Sequence, residues 1–116
     1  MIEKTIRDYL SEELNVPVLL EKPKNPNPSS SPKKFVVIEK TGSSLMNHLY
    51  TSMVAVQSYA ASMYDAAELN YEVINAMMDL VTINEVSKVV LNSDYNFTDT
   101  STKQHLYQAV FDITQY

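Results

Sequence analysis

A change of hydrophobic period between residues 49 and 81 restricts the folds open to this chain more than any other feature. Residues 49–60 mix β-branched, aromatic and polar side chains with a period near two, which predicts a strand. From Met63 onward, apolar residues recur every three or four positions, which predicts an amphipathic helix. Ser62, followed three residues later by Asp65, is typical of a capping box where a helix begins. We therefore expect a strand that leads directly into a helix.

The remaining apolar patterns predict one more helix and four more strands around this unit. Apolar residues recur on one helical face over 2–14, and Pro17 prevents that helix from continuing. The other predicted strands cover 16–21, 35–38, 86–97 and 105–116, and the last two follow each other closely enough to pair antiparallel. We therefore expect an α+β fold in the order α-β-β-β-α-β-β, with a mostly antiparallel sheet of about five strands and two helices packed against it.

Three local details follow from the same patterns. The single glycine, Gly42, falls in residues 41–44, where we expect a turn that uses its tolerance of positive φ. Residues 45–48 then connect to the next strand, so the two strands are predicted to form a hairpin with an extended tip. In the strand over 86–97, four apolar residues of one parity are predicted to share a face: Val89, Leu91, Tyr95 and Phe97.

Length and composition exclude several classes of protein. The 116 residues are enough for a single domain with one modest core, which we expect to span 1–116. No apolar run approaches the roughly 18 residues that cross a bilayer, and the first residues lack the pattern of a signal peptide. The absence of cysteine excludes disulfides, thiolate nucleophiles and cysteine metal sites. A net charge of −5 argues against binding of nucleic acid through a basic surface.

The basic residues are concentrated in one part of the chain. Five of the nine lie between positions 22 and 40: Lys22, Lys24, Lys33, Lys34 and Lys40. The same part contains a Pro/Ser-rich segment, 23–32, with four of the five prolines, which predicts an exposed loop. From position 41 onward, eight acidic residues accompany only two lysines. Either this asymmetry favours head-to-tail packing of copies, or the lysines simply solvate the loop.

The sequence offers no convergent set of catalytic or metal-binding residues. His48 and His105 are isolated from each other and from any spacing typical of a metal site. One glycine cannot build a phosphate-binding loop, and no serine lies in a nucleophile-elbow pattern. We therefore expect a protein that is not an enzyme, with no catalytic residues, no bound metal and no cofactor.

Tyrosine is the more informative residue type. A small core cannot easily bury eight tyrosines with their hydroxyls hydrogen-bonded, and tyrosine is enriched at protein–protein interfaces. Six methionines accompany them, although adjacent methionines such as Met77 and Met78 more often fill gaps in a core. We expect a protein that associates with others, with a subunit interface at Tyr50, Tyr59, Tyr107 and Tyr116.

Two stretches of the chain resemble one known family. The first is Val56-Gln-Ser-Tyr-Ala60, continuing into Ala66-Ala-Glu-Leu69 and Val73-x-x-Ala76-Met77. The second is Leu91-Asn-Ser-Asp-Tyr-Asn-Phe-Thr-Asp99, followed by Lys103-Gln-His-Leu-Tyr-Gln-Ala-Val-Phe111. With the length, strand order and loop positions, they resemble the small tail-completion proteins of long-tailed bacteriophages over essentially the whole chain. Relatives often carry an arginine just before the tyrosine of the last strand, where this chain has Leu106.

The resemblance implies a tail-terminator, or tail-to-head joining, protein with an α/β fold. Such proteins assemble as hexameric rings on the head-proximal end of a finished tail tube, stop tail polymerisation and provide the surface to which the head attaches. The implied partners are further copies of this chain, the tail tube protein and a head-completion or neck protein, without a membrane. The implied location is the tail–head junction of the virion, after assembly in the host cytoplasm.

We expect contacts with those partners in the two exposed loops, the Pro/Ser-rich segment and the hairpin tip. The residues are Lys22, Lys24, Lys33, Lys34, Ser43, Ser44, Asn47 and His48. Two other interpretations stay open, because a fold alone does not specify a function. One is another neck, connector or minor tail protein of a phage, and the other is a cellular ferredoxin-like module that binds a ligand or regulates a partner.

Overall fold

A computed structural model describes residues 2–20, 34–46, 49–83, 86–96 and 105–115, which form a layer of helices on one sheet. The elements are helix α1 (Ile2–Glu13), strands β1 (Val18–Leu19), β2 (Phe35–Met46) and β3 (Leu49–Ala60), helix α2 (Met63–Met78), a 3-10 turn (Asp79–Thr82), and strands β4 (Val86–Asn96) and β5 (His105–Gln115). The α+β class, the five-stranded sheet and the two helices are therefore confirmed. The predicted Pro/Ser-rich loop lies outside the described residues.

The sheet has the strand order β1-β2-β3-β5-β4 and is mixed. Strand β1 pairs parallel with β2, whereas the β2–β3, β3–β5 and β4–β5 pairs are antiparallel. The prediction of a mostly antiparallel sheet is thus confirmed only in part. Parallel pairing is possible because a long connection joins β1 to β2, and a crossover needs such a length.

Both helices cover one face of the sheet and enclose the main core. Helix α1 packs on β1 and β2, and α2 packs on β3, β5 and β4. The helix α1 contributes Ile2, Ile6 and Leu10 to this core, and α2 contributes Leu69, Val73 and Met77 among others. The sheet supplies alternate residues of its strands: Val36, Ile38, Val54, Val56, Val89, Ala109, Phe111 and Ile113. Ala109, Phe111 and Ile113 alternate along β5 and therefore share the face that the helices cover.

The start of α2 has the predicted cap. Ser62 has an extended backbone, and its hydroxyl accepts a hydrogen bond from the Asp65 backbone N–H at 3.1 Å. This bond satisfies one of the N–H groups that the first helical turn leaves without a partner. Asp65 also places a negative charge at the positive end of the helix dipole.

Two local predictions are wrong, and a β-bulge explains each. Gly42 lies inside β2 opposite Met53, so strand pairing continues to Met46 and the expected turn at 41–44 is absent. A register shift between Lys40 and Gly42 absorbs the extra residue. In β4, a second shift between Leu91 and Ser93 reverses the parity, so that Leu91 faces the helices whereas Tyr95 does not. Phe97 lies outside the described residues.

Candidate protein-interaction surfaces

The residues predicted to contact partners do not form one cluster. Lys22, Lys24, Lys33, Asn47, His48 and Tyr116 lie outside the described residues. Ser43 and Ser44 belong to strand β2 instead of a loop. Lys34 precedes β2 and lines a cleft between the two helices. The structure therefore separates Lys34 from the hairpin residues with which the sequence grouped it.

The far half of the β2–β3 hairpin contains a lysine–tyrosine pair. Lys40 Nζ donates a hydrogen bond to the Tyr50 hydroxyl at 2.9 Å, and lies 5.0 Å from the centre of the Tyr50 ring. This hydrogen bond, together with one from Ser43, lowers the pKa of Tyr50. The same bond to Tyr50 raises the pKa of Lys40. Tyr50 is therefore a half-exposed residue with a fixed partner at the end of the sheet.

Beside this pair, apolar side chains are exposed to solvent. Leu45 is 70% exposed and Met53 is 40% exposed. Their strand positions place them on opposite faces of the hairpin, since Leu45 pairs with Tyr50 and Met53 pairs with Gly42. This end of the sheet thus offers apolar contacts on two sides.

Tyr59 belongs to the interior of the chain. Its ring stacks on Phe35 with centroids 4.7 Å apart, in a small buried cluster with Val37 and Leu106 on the helix-free face. Burial, and then the charge of Glu39, raise the pKa of Tyr59. Leu106 is buried in this cluster, where it contributes to packing.

A row of hydrogen-bonded side chains crosses the helix-free face beside this cluster. The Tyr59 hydroxyl donates to Gln57 Oε1 at 3.1 Å, and Gln57 Nε2 donates to Gln108 Oε1 at 2.8 Å. Gln108 Nε2 then donates to the Tyr95 hydroxyl at 2.6 Å. These bonds link β3, β5 and β4 and hold Tyr95 in place, although it is 40% exposed. Tyr107, on the opposite face beside Ser58, is half-buried.

Among the described aromatic side chains, the two most exposed lie on helix α2, at positions that the sequence analysis did not select. Tyr64 is 74% exposed and Tyr71 is 67% exposed. They belong to what we call the α2 stripe, six apolar residues at alternating three- and four-residue steps: Tyr64, Ala67, Tyr71, Ile74, Met78 and Val81. Met78 is 43% exposed, so it lies outside the predicted core, whereas Met77 is buried. In the sequence, the seven-residue spacing from Tyr64 to Tyr71 to Met78 could have indicated that these residues share a side of the helix.

A polar cleft separates the C-terminal parts of α1 and α2. Its volume is about 600 Å³, and its lining includes Glu13, Lys34, Glu72 and Asp79. Beside it, the Tyr9 hydroxyl donates a hydrogen bond to the Ala76 carbonyl at 2.8 Å and so joins the helices. Burial raises the pKa of Tyr9, and the charges of Glu13 and Asp79 raise it further.

Searches for metal sites, membrane spans and relatives add three findings. Among the described residues, no group of three or more His, Asp or Glu side chains is placed to hold a metal ion. No helix in the described ranges has the length and apolar character that crossing a membrane requires. No protein-family model matches this chain, and no curated protein matches it significantly.

Proposed function

We propose that this chain is a structural protein of a bacteriophage virion that caps the tail tube as a ring. In this role it ends tail polymerisation and provides the surface to which the DNA-filled head attaches. The proposal rests on the resemblance to tail-completion proteins and is supported by the location of the residues that carry it. The described residues of the two resembling stretches belong to β3 with α2 and to β4 with β5, and these strands are neighbours in the sheet.

The surface chemistry is consistent with a protein that works by contact. Apolar side chains are exposed at the hairpin end, at Leu45 and Met53, and along the α2 stripe. Exposed apolar groups that lie close together are typical of protein–protein interaction sites. We assign the hairpin end to the contact with the tail tube or with the neck, since its exposed side chains lie on both of its faces.

Electron microscopy of a phage lysate in which this gene alone is deleted tests the proposal, with and without complementation. We expect full heads beside separate tails that are over-long or uneven, and normal particles after complementation. Empty or leaking heads beside normal tails would instead assign the protein to the head side of the neck. Normal particles at normal titre would contradict the proposal.

The α1–α2 cleft favours a second candidate function, a cellular module that binds a small ligand. Its volume of about 600 Å³ lies within the range of small-molecule sites. Three carboxylates, Glu13, Glu72 and Asp79, line it with one ammonium group, that of Lys34, so a cationic ligand would fit best. Melting temperatures measured with spermidine, divalent cations and nucleotides test this candidate, because a ligand that binds the folded state raises the melting temperature.

A further inference from the structure

The Lys40–Tyr50 pair in the far half of the β2–β3 hairpin brings an amine and a phenol into direct contact. Lys40 pairs with Val54 of the neighbouring strand, and Tyr50 has the same parity as Val54 along β3. Both side chains therefore project from the helix-covered face of the sheet. Lys40 Nζ lies 2.9 Å from the Tyr50 hydroxyl oxygen. A group that is bound to one of these atoms is thus within reach of the other.

The hydroxyl oxygen of Tyr50 is activated as a nucleophile. The hydrogen bond from Lys40, and then the one from Ser43, lower the pKa of Tyr50. Burial and the charge of Glu3 act in the opposite direction but are outweighed. Hydrogen bonds to the charged form of a group favour that form. The pair therefore favours the phenolate, which attacks an electrophile more readily than the neutral phenol does.

Lys40, by contrast, is held in its unreactive form. The hydrogen bond to Tyr50 raises the pKa of Lys40, and this effect exceeds the opposite effect of burial. The charge of Glu3 raises it further. An ammonium group has three donors and no lone pair with which to attack. While the hydrogen bond persists, a direct reaction of Lys40 with an electrophile is disfavoured.

We propose that this pair is an acylation site, at which Tyr50 accepts an acyl group from an activated acyl donor and passes it to Lys40. In the first step, the phenolate oxygen forms a bond to the acyl carbon, the bond from that carbon to its leaving group breaks, and the phenolic proton goes to water. In the second step, Lys40 releases a proton to water, and its Nζ attacks the ester carbon. The bond to the Tyr50 oxygen breaks, and that oxygen takes up a proton.

The first step prepares the second. Acylation of Tyr50 removes the hydroxyl group to which Lys40 is bound, and with it the main cause that raises the pKa of Lys40. The neutral amine then lies beside the ester carbon, and such proximity replaces a collision between two molecules. The product is an amide at Lys40, so the hairpin end loses a positive charge and Tyr50 is restored.

Acetyl phosphate, a small activated acyl donor, tests the proposal on the purified chain. The protein is incubated with it, and mass spectrometry of digested samples gives the acetylation rate of each lysine. We expect Lys40 to be acetylated several-fold faster than Lys88, which is exposed on β4. Exposure alone predicts the reverse order, because Lys40 is only partly exposed. A rate at Lys40 no higher than that at Lys88 would overturn the proposal.

Tyr50→Phe separates the relay from a direct reaction by the sign of its effect. If Tyr50 passes the acyl group on, its loss should lower the rate at Lys40 several-fold. If Lys40 reacted directly, the same substitution would raise this rate, because the hydrogen bond that keeps Lys40 protonated is removed. Tyr71→Phe, at an exposed position of α2, is the matched control and should leave the rate unchanged. The rate at Lys88 reports whether each variant is folded.

Lys40→Arg tests the first step by itself. Arginine keeps a cationic donor beside Tyr50 but remains protonated, so the acetyl group should stay on Tyr50 as an ester that hydroxylamine removes. No such ester in this variant, or an unchanged or raised rate at Lys40 in Tyr50→Phe, would overturn the proposal. These results do not depend on the tail role, because they are measured on the isolated chain.

Discussion

At the scale of single residues, some polar groups form hydrogen bonds that stabilise this fold, whereas some buried ones form none. The Tyr9 hydroxyl and the Ala76 carbonyl form a hydrogen bond that joins the two helices. By contrast, the hydroxyls of Ser52 and Ser58 are buried on the helix-covered face and have no hydrogen-bond partner within the part of the chain that the structure describes. A buried hydroxyl without a partner costs about 1–3 kcal/mol of desolvation. These serines therefore weaken the centre of the sheet.

We expect Ser58→Ala to raise the free energy of unfolding by about 1 kcal/mol, because it removes a buried hydroxyl that forms no hydrogen bond. Urea unfolding of the purified variant measures the change. Ser11→Ala, at an exposed position of α1, is the matched control and should change stability little. A loss of stability in Ser58→Ala would show that the hydroxyl has a partner in solution.

Tyr9→Phe should lower the free energy of unfolding at neutral pH by about 1 kcal/mol, since it removes one hydrogen bond. The raised pKa of Tyr9 adds a pH dependence. The folded state favours the neutral phenol, so the stability that the neutral Tyr9 side chain contributes is fully present below the unfolded pKa of about 10. It is lost as the pH rises through the higher folded value.

Urea unfolding at a series of alkaline pH values checks this dependence. Tyr9→Phe should lose less stability than the parent chain as the pH rises above about 10. Tyr50→Phe is the control of opposite sign, because its hydrogen bonds lower the pKa of Tyr50 and favour the charged phenolate. If the free energy of unfolding fell equally steeply with pH in Tyr9→Phe and in the parent chain, the raised pKa of Tyr9 would be contradicted.

At the scale of elements, residues with strong local signals were predictable, and those set by strand pairing were not. Ser62 and the residue spacing of α2 are local features, and the structure has both the cap and the helix. The bulges have no such signal, because an extra residue in β2 or β4 can be recognised only from the pairing with the neighbouring strand. The side of the sheet that Tyr95 faces could therefore not be predicted from the alternation of side chains along the strand.

The cap of α2 gives a prediction at this scale. Ser62→Ala should lower the free energy of unfolding by about 1 kcal/mol, because the Asp65 backbone N–H loses its acceptor. Ser62→Asp keeps an acceptor at the same position and should restore most of the loss. Thermal melting of the three proteins measures the difference. Equal melting temperatures would show that the cap is replaced by another acceptor or by water.

At the scale of the whole molecule, the fold is elongated. The principal extents are 47, 25 and 24 Å, so the long axis is nearly twice either of the others. The sequence showed the surplus of tyrosine and the asymmetry of charge. It could not show which tyrosines are exposed, because Tyr59 is buried by contacts with Phe35, Val37 and Leu106, which are distant in the chain. Tertiary packing determines which tyrosines are buried and which are exposed.

The hairpin end gives a prediction about assembly. Leu45→Glu should leave the melting temperature nearly unchanged, because the side chain is 70% exposed. In complementation of the deletion phage, the variant should lower the titre by at least about tenfold, since a buried carboxylate at a partner contact is costly. Ser11→Glu adds the same charge on α1 and should complement normally. Normal titre with Leu45→Glu would exclude this residue from an essential contact.

The two outer strands of the sheet have a consequence for how copies meet. Strand β1 has only two residues, and β4 has register shifts at its start and in its middle. Short and bulged edges are poor templates for the backbone hydrogen bonds that merge sheets into fibrils. Contacts at these two edges would therefore depend on side chains, and their strength would respond to salt and pH. Backbone pairing between sheets, which needs a long and regular edge, is thus disfavoured on both sides of this one.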